Sequence, residues 1–156
     1  MAANVPRAVG AFIPIPVILV VGLILGVVAN LFLPFPLLPG GWFRPVGVVP
    51  LAVGAWLFFS ARAAFRQHNT PLMPWKPSSG VVKDGPYRFT RNPIYLAFGM
   101  WCLGVSFVFN SGYVLIVLVA VVVLFDRVQI PREERYLQEM FGEEYARYSA
   151  KVRRWI

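Results

Sequence analysis

The chain reads as an all-α polytopic membrane protein, with about four transmembrane helices followed by an amphipathic helix. Three observations lead there. Hydrophobic residues make up 58% of the 156 positions and charged residues only 14%, whereas a soluble domain carries about a quarter charged residues. The charge is gathered into blocks, with none between Arg7 and Arg44, between Arg44 and Arg62, or between Arg91 and Asp126. Proline, glycine and asparagine clusters punctuate the apolar runs where helices would have to end.

A helix needs about 20 apolar residues to cross a hydrocarbon core ~30 Å thick. The first apolar run supplies one span over 14–33, closed by Pro34-Phe35-Pro36 and Pro39-Gly40-Gly41. Pro14 and Pro16 fall at its start, where proline is tolerated. Gly22 and Gly26 in this run form a small-xxx-small pattern that permits close helix approach, more naturally inside the monomer than between copies. The second span covers 46–64, with Arg62 and Arg66 able to snorkel at its end. The run from Asn92 to Phe125 would make a single helix of roughly 50 Å, too long for one crossing. Asn110-Ser111-Gly112 breaks it, giving spans at 93–109 and 113–129. A C-terminal helix over 131–152 follows. Pro131 suits its first turn, and Glu133 and Glu134 suit its positive end. Tyr136, Leu137, Met140, Phe141, Tyr145, Tyr148 and Val152 recur at three- and four-residue spacing, with charges mostly on the other side. Such a helix lies against the membrane surface or folds back over the preceding loop, and Gly142 can kink it.

Basic residues set the orientation. Arg62, Arg66, Lys76, Lys83, Arg88 and Arg91 face a single acid, Asp84, in the segment from Arg62 to Arg91, which takes in the cofactor loop at 66–92, and the tail is basic again from Arg127 to Arg154. The positive-inside rule places both termini and this loop in the cytoplasm, as an even number of spans requires. The net charge of +8 therefore belongs to anionic headgroups of the lipid bilayer rather than to nucleic acid. The N-terminus lacks the cleavage signal of a leader peptide. Cys102, the single cysteine, excludes an intramolecular disulfide and is packing rather than nucleophile. His68, the single histidine, has no partner for a metal site in the sequence around it, so no metal is expected.

Two segments remain that scaffold does not explain: Gly85-Pro86-Tyr87 through Arg91-Asn92-Pro93-Ile94-Tyr95, and Pro131-Arg132-Glu133-Glu134. Both sit where an apolar span meets a basic loop on the same side, the place where a water-soluble cofactor can meet a lipid-dissolved substrate. Together with Phe141-Gly142-Glu143-Glu144-Tyr145, they resemble the isoprenylcysteine carboxyl methyltransferase and phospholipid methyltransferase superfamily of small integral membrane enzymes. The resemblance covers roughly 69–155.

The resemblance implies S-adenosylmethionine as cofactor, bound in a cytoplasmic pocket under the C-terminal helix, and methyl transfer to a lipophilic or membrane-embedded acceptor: a phospholipid amine, a prenylcysteine-like carboxylate or a small lipophilic molecule. It implies cofactor contacts from Ser79, Gly80, Val81 and Val82, from Tyr87, from Asn92, Pro93, Ile94 and Tyr95, and from Glu133, with Glu134 beside it. Arg91 would orient the loop or face headgroups. Asn92 stands where the isoprenylcysteine enzymes have histidine, keeping hydrogen-bonding capacity but losing titration. Gln129 stands where those enzymes have an arginine for the substrate carboxylate, and Arg127 is the nearby cation. Glu133, Gln129 and Arg127 are thus the candidates at the reacting centre. A non-catalytic membrane scaffold or assembly protein is the rival. A transporter is disfavoured because no charge lies near the middle of any span.

Overall fold

A computed structural model describes residues 15–68 and 80–156. Among them every regular element is helical. The α-helices are α1 (Ile15–Phe32), α2 (Val48–Gln67), α3 (Pro93–Val108), α4 (Gly112–Leu124), α5 (Ile130–Phe141) and α6 (Glu143–Lys151). Short 3₁₀ turns at Arg44–Gly47 and Gly85–Arg88 precede α2 and α3. The segments Arg44–Gln67 and Gly112–Phe141, of 24 and 30 residues, are each long and apolar enough to cross a membrane, while Pro16–Phe32 and Pro93–Val108 are apolar but shorter.

Helix α3 is the centre of the bundle. It packs against α2 on one side and α4 on the other, and α1 lies mainly against α4. Small residues bring the backbones together, because lipid tails give helices no hydrophobic reason to associate. A Cβ added at Gly104 would meet Leu51 Cγ at 2.5 Å and the Gly47 carbonyl oxygen at 2.8 Å. At Gly26 it would meet the Val114 Cα and N at 3.3 Å. The small-xxx-small pattern of α1 therefore packs within the chain. Outward faces are apolar: Val20, Ile24 and Leu25 on α1, Val49, Trp56 and Phe59 on α2, and Ile116, Val119 and Val123 on α4 are all exposed. Contiguous apolar surface of this kind marks contact with a membrane or a partner.

The expected break between α3 and α4 is present. Asn110 adopts φ 50°, a left-handed conformation that asparagine tolerates better than most residues. Its Oδ1 accepts the N–H groups of Leu37 and Leu38 at 2.8 and 3.1 Å, and its Nδ2 donates to the Leu38 carbonyl at 2.9 Å. Ser111 caps α4 by accepting from the Val114 N–H, and its hydroxyl donates to the Gly26 carbonyl at 3.2 Å. The loop after α1 is thereby pinned to the α3–α4 turn.

Beyond α4 the structure departs from the sequence expectation. Rather than ending near 129 and restarting at Pro131, the helix runs straight on through a π turn at Phe125–Gln129, where the Ile130 N–H reaches back to the Phe125 carbonyl. Pro131 supplies the reason: it has no N–H and crowds the carbonyl four residues earlier, and a wider turn accommodates it. The expected single helix over 131–152 is in fact two. Gly142, at φ 50° and ψ −120°, takes a conformation open essentially to glycine alone and separates α5 from α6.

Replacing Asn110 by alanine should lower stability by about 1–2 kcal/mol, since the part-buried N–H groups of Leu37 and Leu38 lose their acceptor. Asn110→Asp keeps that acceptor and should cost less. Heat unfolding in detergent micelles measures both, and equal losses would show that the side-chain acceptor is not what matters.

Candidate functional site

The two motif segments meet at one end of the bundle. Asn92, buried, precedes α3, and Pro93 occupies the first helical position, where a missing N–H costs nothing. Tyr95 projects from the first turn of α3 and donates its hydroxyl proton to Glu133 Oε1 on α5. Gln129, 1% exposed, donates from Nε2 to the same oxygen at 2.9 Å. The π turn sets the helical phase at which Gln129 and Glu133, four residues apart, face α3. Below them the Tyr95, Phe98 and Phe125 rings pack together, with Tyr95 and Phe125 centroids 4.6 Å apart.

The two adjacent carboxylates have different surroundings. Burial pushes the Glu133 carboxyl above the usual range, against the pull of its hydrogen bonds from Gln129 and Tyr95, and its charged neighbour is Glu134, of the same sign. Glu134 has two cations. Arg91 Nη1 lies 3.0 Å from its Oε1, and Arg154 grips both oxygens, Nη2 to Oε2 at 2.7 Å and Nε to Oε1 at 3.2 Å. The hydrogen bonds to Glu134 raise the Arg154 guanidinium further above its usual range.

The C-terminal segment folds back over the loop. Arg91 N–H donates to the Arg153 carbonyl at 3.0 Å. The Arg154 carbonyl accepts from Thr90 Oγ1 at 3.1 Å and Asn92 Nδ2 at 3.0 Å. Arg154 Nη1 and Trp155 Nε1 both reach Asp126 Oδ1, at 3.2 and 3.0 Å. From α6, Tyr148 donates its hydroxyl to the Tyr87 carbonyl at 2.8 Å, and Glu144 pairs with Lys83 at 2.6 Å. Burial raises the Tyr87, Tyr145 and Tyr148 phenols, so all three stay protonated; the Tyr145 hydroxyl accepts from Arg91 Nη1 at 3.4 Å.

The structure thus brings Tyr87, Asn92, Pro93, Ile94, Tyr95, Gln129, Glu133 and Glu134 to one end of the bundle. Val82 is buried with Ala61, Ala64 and Tyr87, with Ile94 packed against them. Gly80 and Val81 lead into it, partly exposed, and Ser79 lies outside the described residues. Arg127 does not join the site: its side chain is 81% exposed, 3.6 Å from Asp126. Asn92 spends its amide on the Arg154 carbonyl, Glu134 is committed to two arginines, and Arg91 binds Glu134 rather than facing headgroups. The contributions of Asp126, Arg154 and Trp155 were not legible in the sequence, where a basic tail reads as headgroup contact. His68 pairs with Asp84 at 2.6 Å, and no group of metal-ligating side chains occurs among the described residues.

The profile of the phospholipid methyltransferase family matches residues 42–144, which include both motif segments and the helices that carry them. The chain belongs to that family. Several of its curated relatives are methyltransferases by name. It is similar to protein-S-isoprenylcysteine O-methyltransferase of Saccharomyces cerevisiae, 36% identical over 72 residues, covering 46% of this chain and 30% of the relative. To protein-S-isoprenylcysteine O-methyltransferase A of Arabidopsis thaliana it is 27% identical over 113 residues, 71% of this chain and 57% of the relative. Methanethiol S-methyltransferase 1 of Bradyrhizobium diazoefficiens is 38% identical over 68 residues, 42% of this chain and 22% of that protein. The chain therefore spans 30% and 57% of the length of the two isoprenylcysteine relatives. Membership in this family and the apolar outer faces of the helices both fit a membrane protein.

Proposed function

We propose that this family member is an S-adenosylmethionine-dependent methyltransferase acting on a neutral, lipophilic acceptor at the membrane boundary. Glu133 carries the reading. It is a partly buried carboxylate whose hydrogen-bond partners, Tyr95 and Gln129, are both neutral. A buried anion without a cation is costly, and a cationic ligand removes that cost. S-adenosylmethionine, when bound, supplies a methyl group on a sulfonium together with a second cation, its ammonium.

The chain's own groups do the remaining work. Glu133 meets a cationic portion of the cofactor. Tyr87, Tyr95, Pro93 and Ile94 offer aromatic and apolar surface for adenine and ribose, Asn92 borders them, and the backbone from Ser79 through Gly80, Val81 and Val82 offers N–H donors. Glu134 orients rather than binds, since Arg91 and Arg154 occupy it. Methyl transfer is an in-line displacement, in which alignment of donor and acceptor supplies much of the acceleration, so no covalent enzyme intermediate is required.

Isothermal titration of the purified protein with S-adenosylhomocysteine and S-adenosylmethionine tests the reading. Glu133→Gln should bind both at least about tenfold more weakly than wild type. A folded wild-type protein that binds neither would defeat the proposal, and unchanged affinity in Glu133→Gln would remove Glu133 from the site.

The acceptor follows from what stands beside Glu133. Gln129 is a neutral amide, and Arg127 points away. A carboxylate entering here would meet the charge of Glu133 with no fixed cation to offset its desolvation. An amine in its uncharged form, such as the deprotonated headgroup amine of a phospholipid, or a small lipophilic thiol offers a lone pair to the methyl group and brings no carboxylate to be desolvated. Relatives named for isoprenylcysteine and for methanethiol supply both kinds of comparison. Methyl-transfer assays should give faster turnover with phosphatidylethanolamine or an alkanethiol than with a farnesylated cysteine analogue. The reverse order would count against a neutral acceptor.

We further infer four membrane crossings, by α1, α2, α3 and α4, with both termini and the site cytoplasmic and α5–α6 as the amphipathic cover. The basic loop and tail support it, as does the pairing of the Pro34–Leu38 loop with the Asn110 turn at the end remote from the site. A reporter inserted at Asn110 should score as non-cytoplasmic. A cytoplasmic score would refute the arrangement.

A further inference from the structure

Arg154 touches three of the parts from which the site is assembled. Its guanidinium forks onto both oxygens of Glu134, the residue after Glu133 on α5, and also reaches Asp126 in the π turn. Its carbonyl accepts from Thr90 and Asn92, the lead into α3. Trp155, next in sequence, donates to Asp126 as well. Side chain and carbonyl together, Arg154 links the π turn, α5 and the lead into α3 at Thr90 and Asn92.

That arrangement has a mechanical consequence. Gln129 and Glu133 face α3 only if the helix leaves the π turn at a fixed phase. A π turn adds a residue to the helical repeat, and relaxing it would rotate everything beyond it. Asp126 lies in that turn and Glu134 one turn past Gln129, so a guanidinium held between them fixes the rotation of α5. The same residue's carbonyl fixes Asn92, which starts the helix that carries Tyr95. We infer that Arg154 is a positioning residue: it sets the angle at which Glu133 meets Tyr95 and the bound cofactor, without touching either. The inference rests on the cofactor reading above for its binding readout, and on nothing but the fold for its exchange readout.

Three variants test it: Arg154→Ala, Arg154→Lys, and Arg153→Ala as a control whose exposed side chain makes none of these contacts. Lysine keeps the charge but cannot fork onto Glu134 while reaching Asp126. Arg154→Ala should weaken S-adenosylhomocysteine binding about tenfold, the scale of loss when a supporting contact lets a site loosen. Arg154→Lys should recover the heat-unfolding midpoint of wild type more fully than its affinity. A merely structural role predicts instead that affinity follows the unfolding midpoint in both variants. Hydrogen exchange gives the second readout: Arg154→Ala should speed amide exchange in 92–96 and 129–134 relative to the rest of the bundle, and Arg153→Ala should not. Wild-type affinity in Arg154→Ala, affinity that tracks stability, or unchanged exchange in those segments would each overturn the inference. Should wild type bind no S-adenosylhomocysteine, the cofactor reading fails by itself, and the exchange data alone decide the role of Arg154.

Discussion

Glu134 is shared between two guanidinium groups that arrive from different parts of the chain, Arg91 from the loop before α3 and Arg154 from the segment after α6. The candidate site is built around that shared carboxylate. Removing one partner of a buried pair costs about 3–5 kcal/mol, and less here, because the Arg91 and Glu134 side chains remain 16% and 20% exposed and Arg154 33%. What the bridge provides is registration: α3, α5 and the C-terminal segment are tied at one point. It also divides labour between neighbouring acids. Glu134 takes both cations, leaving Glu133 with hydrogen bonds from neutral groups and a charge that a ligand can answer. Two carboxylates side by side in sequence thus acquire different chemistry from their surroundings.

The bundle beneath serves that end by being narrow. Gly47, Gly54 and Gly104 let α2 and α3 touch backbone to side chain, and Gly26 does the same for α1 and α4. At the remote end, Asn110 and Ser111 fasten the loop after α1 to the α3–α4 turn through backbone groups that would otherwise stay unpaired. With that end closed, the starts of α3 and α5 are held at the other. The aromatic block of Tyr95, Phe98 and Phe125 fills the space between the polar site and the apolar interior.

Much of this was legible in the chain itself, and the reasons differ by residue. Helix ends at Pro34 and Asn110 were readable because their signals are local, a missing N–H and an Asn-Ser-Gly turn, whereas Gly142 read only as a kink within one helix. Tyr95 and Glu133 were identifiable from a family resemblance, yet their direct hydrogen bond could not be deduced from residues 38 apart. The π turn left no trace, since Phe-Asp-Arg-Val-Gln is compatible with an ordinary helix and only its relation to Pro131 in three dimensions widens it. Arg154 was misjudged for a related reason. Among many basic residues at a membrane edge, contact with headgroups is the default, and only the folded chain shows which arginine turns inward to Asp126 and Glu134. Arg127 went the other way, close to Gln129 in sequence and on the wrong side of the helix.

Because the helix does not stop at Gln129, Gly112–Phe141 is one rod of 30 residues, about 45 Å long, with its apolar half packed against α1 and α3 and its polar half carrying Glu133. Such a rod is a lever. Its apolar part, the 13 residues of Gly112–Leu124, is about 20 Å long, and an apolar stretch shorter than the hydrocarbon core is met by local thinning of the bilayer or by snorkelling of its flanking residues. In the four-crossing arrangement proposed above, a change in bilayer thickness loads the same contacts that hold Glu133 against Tyr95. Lipid is then a mechanical input to the polar site as well as a reservoir for whatever reacts there.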